Sequence, residues 1–97
     1  MGLFERITAV DETKISVHSF GASLREVARG NATVAQLVAV FDLDAADQTD
    51  LAAIQAKYLD QSDTFNRVTF MMQMEDAFVL AESGIYNKTQ VTNALGF

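Results

Sequence analysis

The sequence of 97 residues contains no cysteine, no proline and no tryptophan. The lack of cysteine excludes disulfide bridges, cysteine-ligated zinc or iron–sulfur centres and thiol catalysis. No apolar run approaches the roughly 18 residues that a membrane span requires, and Glu5 with Arg6 interrupts the segment where a signal peptide would be apolar. We therefore expect a soluble chain of intracellular origin that does not engage a membrane.

Positive charge is also scarce. The chain has 7 Lys and Arg against 13 Asp and Glu, which gives a net charge of −6. Residues 1–30 are balanced, whereas residues 31–97 carry three basic against nine acidic side chains and hold all of the net charge. Nucleic-acid binding depends on cationic side chains that displace counterions from phosphates, so we expect no direct nucleic-acid contact. An acidic surface favours basic partners or none.

The chain length fits one domain, and 49% hydrophobic with 21% charged residues is typical of an ordinary globular protein. After about residue 22, apolar residues recur at spacings of three and four, which predicts amphipathic helices. Thr33 with Gln36 has the spacing of a capping box, Asp44 is an expected N-cap, and Gly30 and Gly84 are expected helix stops. The predicted helices cover residues 22–29, 34–41, 45–59, 63–83 and 88–95.

The first twenty residues show a different pattern. Residues 14–20 alternate, with Ile15 and Val17 on one face and Ser16 and His18 on the other, as in a strand. Residues 3–10 are the expected partner strand, with a turn at residues 11–12. The alternative is a frayed helix or tail over residues 1–12, because Phe4 and Ile7 also fit helical spacing. We predict a mainly α fold, a small bundle of four to five helices over residues 22–97 with an extended arm or β-hairpin over residues 1–21.

The longest predicted helix has two apolar stripes separated by polar residues, and each stripe needs cover. One stripe is broad and runs over residues 70–81. The second contains Phe65, Val68, Met72 and Val79. Two interpretations remain open, because the shorter helices could cover both stripes, or one stripe could meet another chain.

Residues that would carry chemistry are sparse. His18 is the only histidine, and no G-x-S-x-G elbow stands near it. The acidic run from Asp42 to Asp50 fails the calcium-loop pattern at three positions, and the five glycines are isolated, so no phosphate-binding loop exists. We expect no catalytic, cofactor-binding or metal-binding residues and no enzymatic activity. The predicted helices at 34–41 and 45–59 also allow a helix-turn-helix, although acidic residues at the start of the second helix would repel phosphates.

Four segments of residues 33–97 have a recognisable pattern: T-V-A-Q-L-V-A-V-F-D-L-D from Thr33, D-L-A-A-I from Asp50, Lys57 with Tyr58, and E-D-A-F-V-L-A-E-S-G-I-Y from Glu75. On these segments the chain resembles small acidic helical proteins encoded in tailed-bacteriophage genomes. The resemblance covers about two-thirds of the chain and transfers no functional residues. It implies a virion or virion-assembly protein without catalytic activity.

These observations lead us to expect a non-catalytic structural protein of a virion, such as a capsid, decoration or head-tail component made in the host cytoplasm. Its expected partners are other virion proteins or copies of itself in a homo-oligomer or larger assembly. Two alternatives are a small acidic adaptor or inhibitor that binds a basic groove of a host protein, and a helix-turn-helix DNA-binding regulator. The residues expected to make contacts are Phe4, Ile7, Ile15 and Val17 in the arm, and Phe65, Val68, Met72 and Val79 in the long helix.

Overall fold

The computed structural model describes residues 2–8 and 15–97, and these residues form a compact helical bundle without strands. The longest helix contacts four of the others and forms the centre of the bundle. In chain order the described helices are α1 (Leu3–Thr8), α2 (Val17–Ala28), α3 (Val34–Phe41), α4 (Ala45–Leu59), α5 (Thr64–Glu82) and α6 (Lys88–Ala94).

Local capping signals set the starts of α3, α4 and α6. Thr33 and Gln36 form the capping box predicted for α3, in which each side chain accepts a hydrogen bond from the other residue's backbone N–H. Asp44 and Asp47 do the same at α4, and the same arrangement opens α6. The two residues of each signal are only three positions apart, so the signal can be recognised from the sequence alone. The four helices from α3 to α6 accordingly match the predicted segments closely.

The predicted N-terminal arm or hairpin is wrong for the described residues. Leu3–Thr8 and Val17–Ala28 are helices, and the predicted boundary between residues 21 and 22 falls inside α2. The alternation at residues 15–18 is too short to outweigh the helical spacing of Phe20, Leu24 and Val27. The proposed turn at residues 11–12 lies outside the described residues.

Gly21 allows α2 to pack closely on α5. A Cβ atom at this position would lie 3.2 Å from Cγ of Glu75. Next to this contact, the ring of Phe20 lies 5.4 Å from that of Phe41 and 5.9 Å from that of Phe78. The aromatic cluster therefore joins α2, α3 and α5 in one core.

Candidate protein-protein interface

The two stripes predicted for α5 have different surroundings. The broad stripe is buried in the core against the shorter helices. The second stripe is uncovered, and its residues form what we call the α5 row. Its exposed fractions are 77% for Phe65, 53% for Val68, 59% for Met72 and 38% for Val79. The interpretation in which the short helices cover both stripes is therefore wrong for the isolated chain.

The members of the α5 row share one side of the helix, because they follow each other at spacings of three, four and seven residues. At 3.6 residues per turn, the four side chains lie within an arc of about 60°. Scattered exposed apolar residues are normal on a soluble protein, whereas an aligned set of this kind is typical of interaction sites. The exposed methionine adds a flexible side chain that adapts to a partner's shape.

Charged residues border the α5 row. Glu75 forms an ion pair with Arg25 of α2, whose Nη2 donates a hydrogen bond to Oε1 of Glu75, so this carboxylate already has a partner within the fold. Asp76 lies four residues after Met72 and three before Val79 and is exposed. Within the described part of the chain, the carboxylate of Asp76 forms neither a hydrogen bond nor an ion pair. An apolar row with an uncompensated carboxylate at its edge is thus available to a partner.

A shallow apolar groove lies between α2, α4 and α5, with a volume of about 250 Å³. Met71 contributes to it from α5, Val27 from α2, and Tyr58 and Leu59 from α4. Small-molecule and cofactor pockets usually measure about 300–1,000 Å³. The groove is therefore better suited to a single apolar side chain than to a cofactor. The sequence analysis missed it, because its lining comes from three separate helices.

Three of the four residues predicted to make contacts from the N-terminal segment do not lie on an exposed surface. Phe4, Ile7 and Ile15 are buried in the core. The ring of Phe4 lies 5.7 Å from that of Phe97. The side chain of Val17 lies outside the described residues. The structure thus brings the four predicted residues of α5 together on one exposed face, whereas Phe4, Ile7 and Ile15 lie in the core.

The side chain of Asp47 is fully buried and binds Arg6, with 2.6 Å between Oδ2 and Nη1. Arg6 also donates hydrogen bonds to the backbone carbonyls of Phe41 and Asp42. One guanidinium therefore joins α1 to the end of α3 and the start of α4. The sequence analysis did not predict this ion pair, because its two members are 41 residues apart in the chain.

A second ion pair joins α1 to α6 at the surface, with Nζ of Lys88 lying 2.7 Å from Oε1 of Glu5. The hydrogen bond from Lys88, followed by one from the backbone of Gly2, holds the pKa of Glu5 below its ordinary value. The same contact raises the pKa of Lys88. Both groups are therefore charged over a wide pH range.

Cationic side chains in the described residues already have contacts within the chain. Lys57 donates to the carbonyl of Gly96 and lies over the ring of Phe97, and Arg67 lies over the ring of Tyr58. The remaining ones form ion pairs with carboxylates: Arg6, Arg25, Arg29 and Lys88. The chain's excess of acidic groups thus remains to face solvent or a partner.

The described residues contain no group of three or more His, Asp or Glu side chains arranged to hold a metal ion. Within the same residues, no helix combines the length and apolar character needed to cross a bilayer. Comparison with known proteins returned no matching family model, no matching curated protein and no matching solved structure.

Proposed function

We propose that this chain is a non-catalytic structural protein of a bacteriophage virion and that it acts through assembly contacts made by the α5 row. The observation that carries the proposal is the alignment of Phe65, Val68, Met72 and Val79 on the exposed side of the central helix. Burial of apolar surface is the main driving force of protein association, so such a row favours docking onto another protein.

The virion setting rests on the resemblance of residues 33–97 to small acidic phage proteins, together with the helical fold. The proposed partners are copies of this chain or other virion proteins, in an assembly formed after synthesis in the host cytoplasm. The row lies on a rigid, packed helix, which reduces the entropy cost of forming repeated identical contacts.

The proposal is tested by incorporation into particles. A tagged chain is supplied during infection by the phage that encodes it, and purified virions are probed for the tag. The double variant Val68→Gln and Met72→Gln should reduce incorporation at least about tenfold, because the centre of an interface dominates its affinity. Its thermal unfolding should stay close to that of the wild type, since both side chains are exposed.

The matched control replaces two other exposed apolar residues by glutamine, Val40 of α3 and Ile85 after α5. This control should enter virions as the wild type does. Absence of the wild-type chain from virions would overturn the virion assignment. Equal incorporation of both double variants would show that the α5 row is not the contact surface.

A second candidate is a small acidic adaptor or inhibitor on a basic groove of a host protein. It is favoured by the engagement of the described cations within the chain, which leaves the acidic excess uncompensated. The adaptor predicts a soluble complex that moderate salt dissociates, and no tag in virions.

The third candidate, a DNA-binding regulator, is favoured least. Asp44 caps the start of α4 and Asp47 is buried against Arg6, so the helix that would enter the groove presents no cation in its first turn.

A further inference from the structure

We infer that the occupant of the α5 row is a cationic amphipathic helix of a different protein, rather than a second copy of this chain. This inference rests on the proposed function, because it specifies the partner of the same surface. It depends on the position of Asp76 relative to Met72 and on the engagement of the nearby cations.

An antiparallel pair of α5 helices from two copies places a carboxylate against apolar surface. If the twofold axis passes Met72, Phe65 of one copy faces Val79 of the other, since both lie seven residues from the axis. By the same spacing Val68 faces Asp76, because both lie four residues away. Burial of an unpaired carboxylate against a valine is costly, so this arrangement is disfavoured.

A parallel pair in register is disfavoured for a different reason. Asp76 of one copy would then face Asp76 of the other, and like charges in such positions repel. The net charge of −6 on each copy adds a long-range repulsion. Both arrangements therefore leave Asp76 without a compensating partner.

The chain itself offers Asp76 no cation among the described residues. Arg25 is engaged by Glu75, and Arg67 lies over Tyr58 and near the carbonyl of Leu59. The complementary partner is therefore a helix whose apolar residues cover Val68 and Met72 and whose Lys or Arg lies one turn away, opposite Asp76. Helices with apolar positions at i, i+3, i+4 and i+7 dock on apolar surfaces in this way.

The test uses two synthetic helical peptides as probes. Both have the same leucine stripe, and the polar face is all lysine in one and all glutamate in the other. Each carries a fluorophore, and its affinity for the full chain is measured by fluorescence anisotropy at low salt and at about 0.3 M salt. The wild-type chain should bind the lysine peptide at least about tenfold more tightly than the glutamate peptide at low salt, since complementary charges govern the choice of partner.

Two variants that change the net charge by the same amount separate a local contact from a general attraction. Asp76→Asn removes the carboxylate beside the row, and Ala35→Lys adds a charge at an exposed position of α3. Asp76→Asn should weaken lysine-peptide binding about two- to fivefold, as expected for an exposed ion pair, and Ala35→Lys should weaken it less. Met72→Gln should weaken binding of the lysine peptide at both salt concentrations.

Three results would overturn the inference: equal affinity for the two peptides, equal effects of Asp76→Asn and Ala35→Lys, or a wild-type dimer in sedimentation velocity that Met72→Gln dissociates. If the glutamine variants of the row lose virion incorporation while the peptides show no charge preference, the inference fails and the proposed function stands. If the lysine peptide binds as expected but virions lack the chain, the virion assignment fails and the charge preference of the surface stands.

Discussion

The N-terminal helix and the exposed face of α5 have similar apolar patterns but opposite surroundings. In α1, Phe4 and Ile7 are three residues apart and buried, whereas Phe65 and Val68 of α5 have the same spacing and are exposed. The difference arises from long-range contacts, because α4, α5 and α6 cover α1 whereas no helix among residues 2–8 and 15–97 covers the α5 row. Helical spacing thus identifies an apolar face but does not tell whether the same chain covers it.

The largest expected effect is the difference in stability loss when one phenylalanine is replaced by alanine in each of the two regions. Phe4→Ala should lower the free energy of unfolding by about 3–5 kcal/mol, because a buried ring is replaced by a cavity. Phe65→Ala should change it by about 0.5 kcal/mol or less, since that ring is 77% exposed. Urea unfolding followed by circular dichroism measures both. Similar losses in the two variants would show that the regions do not differ in burial.

A smaller effect is expected for the ion pair that fixes α1. Arg6→Met should lower the free energy of unfolding by about 2–4 kcal/mol, because it leaves the carboxylate of Asp47 buried without its cation. The loss is below the largest values for buried pairs, since the side chain of Arg6 is 19% exposed. Arg25→Met is the control, because both members of its pair with Glu75 are partly exposed, and it should cost about 1 kcal/mol or less. Equal unfolding midpoints for the two variants would contradict a special role for the buried pair.

The smallest expected effect concerns the pH dependence of the surface pair between α1 and α6. Because the pKa of Glu5 is lowered in the folded chain, its contribution is present above the ordinary pKa of 4.5 and is lost as pH falls through the lowered value. The raised pKa of Lys88 makes its contribution complete below 10.5 and lost as pH rises through the raised value. The stability difference between wild type and Lys88→Met should therefore be greatest between these limits. Thermal unfolding across pH tests this, and a difference independent of pH would refute it.

Much of the helical part was predictable because its signals are local. Capping residues such as Thr33 and Asp44 act within one turn, and the two stripes of α5 follow from its own periodicity. The four residues of the second stripe were identified from this periodicity, and the structure shows that they are exposed. That the stripe meets another chain stays a prediction.

The N-terminal helices and the buried ion pair of Asp47 could not be predicted from local sequence signals. Whether α1 is a helix or a strand depends on helices more than 30 residues away in sequence, because its short length gives little intrinsic preference. Asp47 has the same local pattern as a solvated N-terminal residue of a helix. Only the approach of Arg6, 41 residues earlier, makes it part of the core.

The contact between α1 and α6 forms only after the ribosome has synthesised both helices. Glu5 and Lys88 are separated by 83 residues, and at about 5–20 residues per second the second is added roughly 4–17 s after the first. During that interval Leu3, Phe4 and Ile7 lack part of their final cover. The nascent chain therefore leaves part of the apolar face of α1 uncovered until α6 has been synthesised.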